Sequence, residues 1–239
     1  MSKHLKRDLD FLKKEIMSIA SMVEEALDKA VLALIDRRPE LAEEVIREDD
    51  RIDQREARFE EDCLKTLALH QPVAADLRMV VAFIKVNNDL ERIGDLAVNI
   101  AERAAYLSKC DALQISLNFS EMADKVREML RRSLDALASA DAELSRAVLA
   151  MDDEVDDANR EMFVSLQRLM HEDPTTIERA VHFLFVSRHL ERIGDLATNI
   201  AQDVVYMVEG ELIRHRAENY SENNGVRWGS QAHEPDEPG

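Results

Sequence analysis

Among the carboxylates that stand four residues apart in this chain, four pairs recur at corresponding places in its two halves: Asp49/Asp53 with Asp152/Asp156, and Glu91/Asp95 with Glu191/Asp195. At about 100° per residue, members of such a pair share one helix face. Like charges at that spacing repel by about 0.2–0.5 kcal/mol on a bare helix, and a divalent or trivalent cation turns the repulsion into a site. Carboxylate oxygens suit hard ions such as Mg²⁺, Ca²⁺, Mn²⁺ or oxidised Fe, and they also take Zn²⁺. A solvated charged face is the competing reading, because charge is what the exterior of an amphipathic helix normally carries. Other chemistry is sparse. None of the seven histidines follows a glutamate by three residues, which removes the Glu-x-x-His ligands of buried di-iron proteins. The HExxH zinc motif, the phosphate-binding P-loop and the GxSxG elbow are absent. His189 stands before an acidic residue on a helix, a placement compatible with a phosphoacceptor on a helical bundle, but its counterpart in the first half is Asp89. No catalytic residues are indicated, so an enzyme is not the leading reading; a metal-binding or metal-storage helical protein and a metal-dependent phosphoesterase are the readings that the acidic pairs leave open.

The elements that carry these pairs are helices. Apolar residues recur at period 3.6 over residues near 5–36, 40–69, 73–108, 118–139, 141–171 and 175–210, an all-α pattern. Arg37-Arg38-Pro39, His70-Gln71-Pro72 and His171-Glu172-Asp173-Pro174 punctuate them, and Asp173-Pro174 suits an N-cap with proline at the first helical position. His70 and His171 occupy equivalent loops, where structural or solvent-facing roles are expected.

The stretch Leu90-Glu-Arg-Ile-Gly-Asp-Leu-Ala-Val-Asn-Ile-Ala101 recurs at 190–201 with one difference, Val98 against Thr198. Upstream, Asp49-Asp50…Asp53 aligns with Asp152-Asp153…Asp156 at a slightly different offset, as loops of unequal length would give. Two tandem, pseudo-symmetric three-helix bundles follow, over 5–110 and 115–212, joined near Lys109–Ser116. Within the repeated helix Leu90, Ile93, Ala97, Ile100, Ala104 and Leu107 form a bundle seam, matched by Leu190, Ile193, Ala197, Ile200, Val204 and Met207. Glu91, Asp95 and Asn99, with Glu191, Asp195 and Asn199, fall away from that seam. Each unit is therefore expected to present two carboxylate pairs on its outer surface. Gly94 and Gly194 cost about 1 kcal/mol each in mid-helix, which suggests close helix approach.

The 239 residues carry 49 acidic and 31 basic side chains, a net charge of −18. A chain so acidic, with no basic cluster in its sequence, is not expected to bind nucleic acid or an anionic membrane, nor free phosphate directly. Two cysteines, Cys63 and Cys110, make neither a disulfide framework nor a metal knuckle, consistent with a reducing compartment. No secretory leader or bilayer-spanning run is evident, so a cytoplasmic protein is expected, reaching a membrane only through partners. Residues 217–239 lose periodicity and gain Gly, Pro and Asn; a disordered tail is expected, with Trp228 as its one tryptophan.

The duplicated LERIGDLAxNIA, the upstream Gln71-Pro-Val-Ala-Ala-Asp-Leu-Arg78 and the paired acidic motifs resemble the PhoU family of phosphate-specific transport accessory proteins, over about residues 5–212. That resemblance implies two symmetric three-helix bundles and a homodimer. It implies a negative regulator of the phosphate-starvation regulon and of phosphate uptake, linking the ATPase of the phosphate ABC transporter to the membrane sensor histidine kinase. It implies metal ions on Asp49, Asp53, Glu91 and Asp95 and on Asp152, Asp156, Glu191 and Asp195, with Asn99 and Asn199 as further oxygen donors. Where family members often carry histidine after the second Gly-Asp, this chain has Leu196.

Overall fold

Residues 3–113, 115 and 117–211 are described by the computed structural model, and they form seven α-helices and no strand. The first half comprises α1 (Lys3–Ile35), α2 (Pro39–His70) and α3 (Ala74–Leu107). The second comprises α4 (Phe119–Ser139), α5 (Ala142–Leu149), α6 (Asp152–Glu172) and α7 (Ile177–Glu209). Residues 217–239, including Trp228, lie outside the described residues.

Every seam residue expected from the repeat is buried, from Leu90 to Leu107 in α3 and from Leu190 to Met207 in α7. Burying a large aliphatic side chain is worth about 1.5–3 kcal/mol, so this seam holds each central helix against its neighbours. α3 packs on α1 and α2, while α7 packs on α4, α5 and α6. α3 and α7 also pack on one another, and α1 meets α4, so one hydrophobic core runs through both halves. Cross-half bonds reinforce it: Arg127 pairs with Asp28 at 2.8 Å and Lys85 with Asp203 at 3.1 Å.

Three details differ from the sequence pattern. The single helix expected over 141–171 breaks at Ala150-Met151, and α6 begins afresh there. Asp152, Asp153 and Glu154 crowd its first turn, where the positive end of the helix dipole favours acidic groups. Asp173 caps as expected, its Oδ1 accepting from the Thr175 amide at 3.0 Å, but the turn it opens is a 3₁₀ turn at Pro174–Thr176. The mid-helix glycines also mark less than was expected of them. A methyl at Gly94 would find only Ile52 Cγ2, at 4.0 Å, and one at Gly194 would meet Val155 Cγ1 at 3.5 Å, an ordinary contact. Neither glycine is needed for helix approach.

Candidate functional site

In each half the second and third helical layers bring the acidic pairs side by side. Asp49 and Asp53 rise from α2 beside Glu91 and Asp95 of α3. Asp152 and Asp156 rise from α6 beside Glu191 and Asp195 of α7. Their proximity shows in their acidities. Burial raises the pKa of Asp49, and the fields of Asp53 and Asp95 raise it further. Burial pushes Asp152 up to about 6, aided by Asp195 and Asp156. Asp195 is raised by burial and by Asp156 against the opposing pull of Arg188 and Arg192.

The first half holds a fifth carboxylate that the repeat concealed. Glu56 lies one turn beyond Asp53 on the same face of α2 and is only 4% exposed. Burial, then Glu91, Asp53, Asp95 and Asp49, push its pKa up to about 8, so it is mostly protonated at neutral pH. Its Oε1 is buried without a partner, and so is Oδ1 of Asn87, whose amide donates to the Glu56 carbonyl at 3.3 Å. The second half carries Asn159 at this position, and its Oδ1 accepts from Ser187 Oγ at 2.6 Å. The signal was available in the i, i+4, i+7 spacing of Asp49, Asp53 and Glu56, but a search for what both halves share passes over it.

The halves differ again at the repeated glutamate. Glu91 is exposed, as the outer-surface expectation requires. Glu191 is 9% exposed, contrary to that expectation, because it folds back against its own bundle and Arg188 Nη1 bonds its Oε1. The first-half counterpart of Arg188 is Asn88, so Glu91 has no such cation beside it. The Glu191 Oε2 atom remains buried without a partner.

Asp95, Asn99, Asp195 and Asn199 also line one cleft of about 480 Å³ between α3 and α7, with Arg92 and Arg192. Asn99 spends its amide on the Asp95 carbonyl, 2.9 Å away, which leaves its side-chain oxygen as an acceptor for an outside donor or cation. Among the described residues no three His, Cys, Asp or Glu side chains converge closely enough to grip a metal ion as they stand. The donor set nevertheless fits a hard cation: all-oxygen, crowded, with pKa values raised by burial and by neighbouring carboxylates, and with two buried carboxylate oxygens that lack partners among the described residues. Among the histidines, His70 Nε2 pairs with Asp8 Oδ2 at 2.8 Å and His171 is exposed. Cys63 is buried, its thiol pushed up to about 12 by burial, and Cys110 is partly buried; both are free.

Comparison with known proteins follows this geometry. A family model described as the PhoU domain matches twice, over residues 16–104 and 119–204. A phosphate-specific transport system accessory protein PhoU homolog of Aquifex aeolicus is 42% identical over 210 residues, covering 88% of this chain and 95% of the relative. The homolog of Pseudomonas putida is 37% identical over 218 residues, 90% of this chain and 84% of its own. Among solved structures, PhoU from Pseudomonas aeruginosa superposes with a TM-score of 0.84 at 36% identity, covering 86% of this chain and 99% of that one. The phosphate transport system regulatory protein PhoU from Streptococcus pneumoniae gives 0.78 at 27% identity, covering 87% and 99%.

Proposed function

The chain belongs to the PhoU family, and from that membership we propose that it is a negative regulator of the phosphate-starvation regulon and of phosphate uptake. In this reading it is a non-catalytic adaptor between the ATPase of the phosphate ABC transporter and the membrane sensor histidine kinase, and it contributes to phosphate homeostasis. The observation that carries the proposal is the family match over both halves, at high coverage of relatives described as accessory proteins of phosphate-specific transport. Among the described residues no helix is long and apolar enough to cross a membrane; in this reading the protein works in the cytoplasm and reaches the membrane through its partners.

An adaptor transmits a state by differential affinity. If the ATPase changes shape with its transport cycle and this chain prefers one shape, the population bound to the kinase shifts with transport. The exposed carboxylates Asp53, Glu91, Asp95 and Asp195 suit basic partner surfaces, and a homodimer would double them. Asp49, Asp53, Glu91 and Asp95, with Asn99, would hold a cation in the first half; Asp152, Asp156, Glu191 and Asp195, with Asn199, would do so in the second. Mg, Mn, Fe, Ca or Zn fits these oxygens, and a bound cation would supply charge neutralisation that lets the carboxylates draw together.

Alkaline phosphatase activity in phosphate-replete cells lacking the gene tests the regulatory reading. High activity that returns to baseline when the gene is restored is the expected result; low activity without the gene overturns it. Metal storage or phosphoesterase action would instead show as many ions released reversibly per chain, or as chelator-sensitive turnover.

A further inference from the structure

α3 and α7 cross antiparallel, so the contact between them has two ends related by the internal symmetry. At one end Lys85 of α3 pairs with Asp203 of α7 at 3.1 Å and lies 5.3 Å from the centre of the Tyr206 ring. Asp89 of α3 is a second carboxylate in that region. At the other end every charge is changed: Arg103 stands where Asp203 does, Phe185 where Lys85 does, His189 where Asp89 does and His182 where Ala82 does. The Arg103 guanidinium lies 5.3 Å from the centre of the Phe185 ring, and among the described residues no carboxylate reaches it within ion-pair distance. Its Nε is buried with no partner among the described residues, and so is Nδ1 of both His182 and His189. The neighbouring carboxylate, Glu178, is taken up by the Tyr106 hydroxyl, whose ring stacks on His182 at 4.0 Å. Arg192, exposed and without an ion pair among the described residues, adds a second guanidinium whose field reaches His189.

We propose that this end of the α3–α7 contact binds a small tetrahedral oxyanion of the phosphate class, held by Arg103 and Arg192 with the His182 and His189 imidazoles beside them. The anion supplies from outside the negative charge that Asp203 supplies at the symmetric end. A half-buried guanidinium without a counter-charge bears a desolvation cost that a multi-oxygen anion offsets through paired N–H···O bonds. The net charge of −18 does not forbid it, because charges beyond about 8 Å are largely screened at physiological ionic strength. Arg192 also borders the cleft that holds Asp95 and Asp195, but the inference rests neither on metal at the acidic pairs nor on the regulatory reading, since its test uses neither metal nor cells.

The test is equilibrium dialysis of the full chain against radiolabelled inorganic phosphate, with chelator present and ionic strength held constant by chloride. Saturable binding of one phosphate per chain is expected. Arg103→Gln should weaken it by roughly tenfold, the loss of one bidentate charged contact. Arg192→Gln, at an exposed position where folding is not at stake, should weaken it severalfold. Lys85→Gln, at the symmetric end, should leave it unchanged. Thermal unfolding of each variant shows whether the fold is kept, and the Arg192 variant decides if Arg103→Gln does not fold. No saturable phosphate binding, binding indifferent to both arginines, or binding seen only when metal replaces chelator would each overturn the proposal.

Discussion

Glu91 and Glu191 occupy the same position of a motif that repeats almost letter for letter, yet Glu91 faces solvent while Glu191 is buried under Arg188. The residues that make this difference lie outside the repeated stretch. Asn88 against Arg188 decides whether the glutamate has a cation, and Glu56 against Asn159 decides whether a buried acid lies beneath the pair. The first half thus gathers five carboxylates with no guanidinium bonded to them, while the second gathers four and bonds one to Arg188. Duplication preserved the scaffold and the seam; the electrostatics around the shared motif diverged through single substitutions one or two turns away.

The largest expected effect comes from giving the first half an uncharged residue where the second already has one. Glu56 has a folded pKa of about 8 against an ordinary 4.5. Below about pH 4.5 it is protonated in both the folded and the unfolded chain and carries no penalty. As pH rises towards about 8 the unfolded chain loses the proton while the folded chain keeps it, so stability falls through that window. Glu56→Gln should remove this fall, a gain on the order of 3 kcal/mol at the alkaline end and little change at the acid end. Denaturant unfolding across that pH range checks it, and parallel slopes for the two proteins would count against the buried acid.

Next in size is the contrast between the ends of the α3–α7 contact. Asp203→Asn leaves Lys85 without its 3.1 Å partner beside a buried site and should cost about 2 kcal/mol. Arg103→Gln breaks no internal ion pair and should change stability by about 0.5 kcal/mol or less in phosphate-free buffer. Equal losses in the two variants, measured by chemical denaturation, would mean that Arg103 has an internal counter-charge after all. The smallest effect is at the repeated glycine. Gly94→Ala should stabilise α3 by up to about 1 kcal/mol, because the new methyl meets only Ile52 at 4.0 Å.

The fold was legible because it rests on periodicity. The seam from Leu90 to Leu107 and its copy from Leu190 to Met207 are apolar at every turn, and proline marks three of the breaks. The break at Ala150-Met151 was not legible, since no glycine or proline stands there and the acidic first turn of α6 reads equally well as a continuing helix. The four acidic pairs could be placed on neighbouring helices from spacing alone. Glu56 and the burial of Glu191 could not: the first has no counterpart in the repeat, and the second depends on an arginine that the first half lacks. The changed charges at 85, 89 and 103 were readable by aligning the halves, but that α3 and α7 cross so as to bring position 85 to 203 and 103 to 185 is a property of the packing.

Titration of Mn²⁺ into the metal-free chain, compared with Glu91→Gln/Asp95→Asn and with Glu191→Gln/Asp195→Asn, tests the divergence of the two halves most directly. The tighter of two sites should vanish with the first-half pair, the weaker with the second-half pair, and Arg188→Asn should bring the weaker site towards the tighter one. Two sites of equal affinity, or a tighter site belonging to the second half, would contradict it.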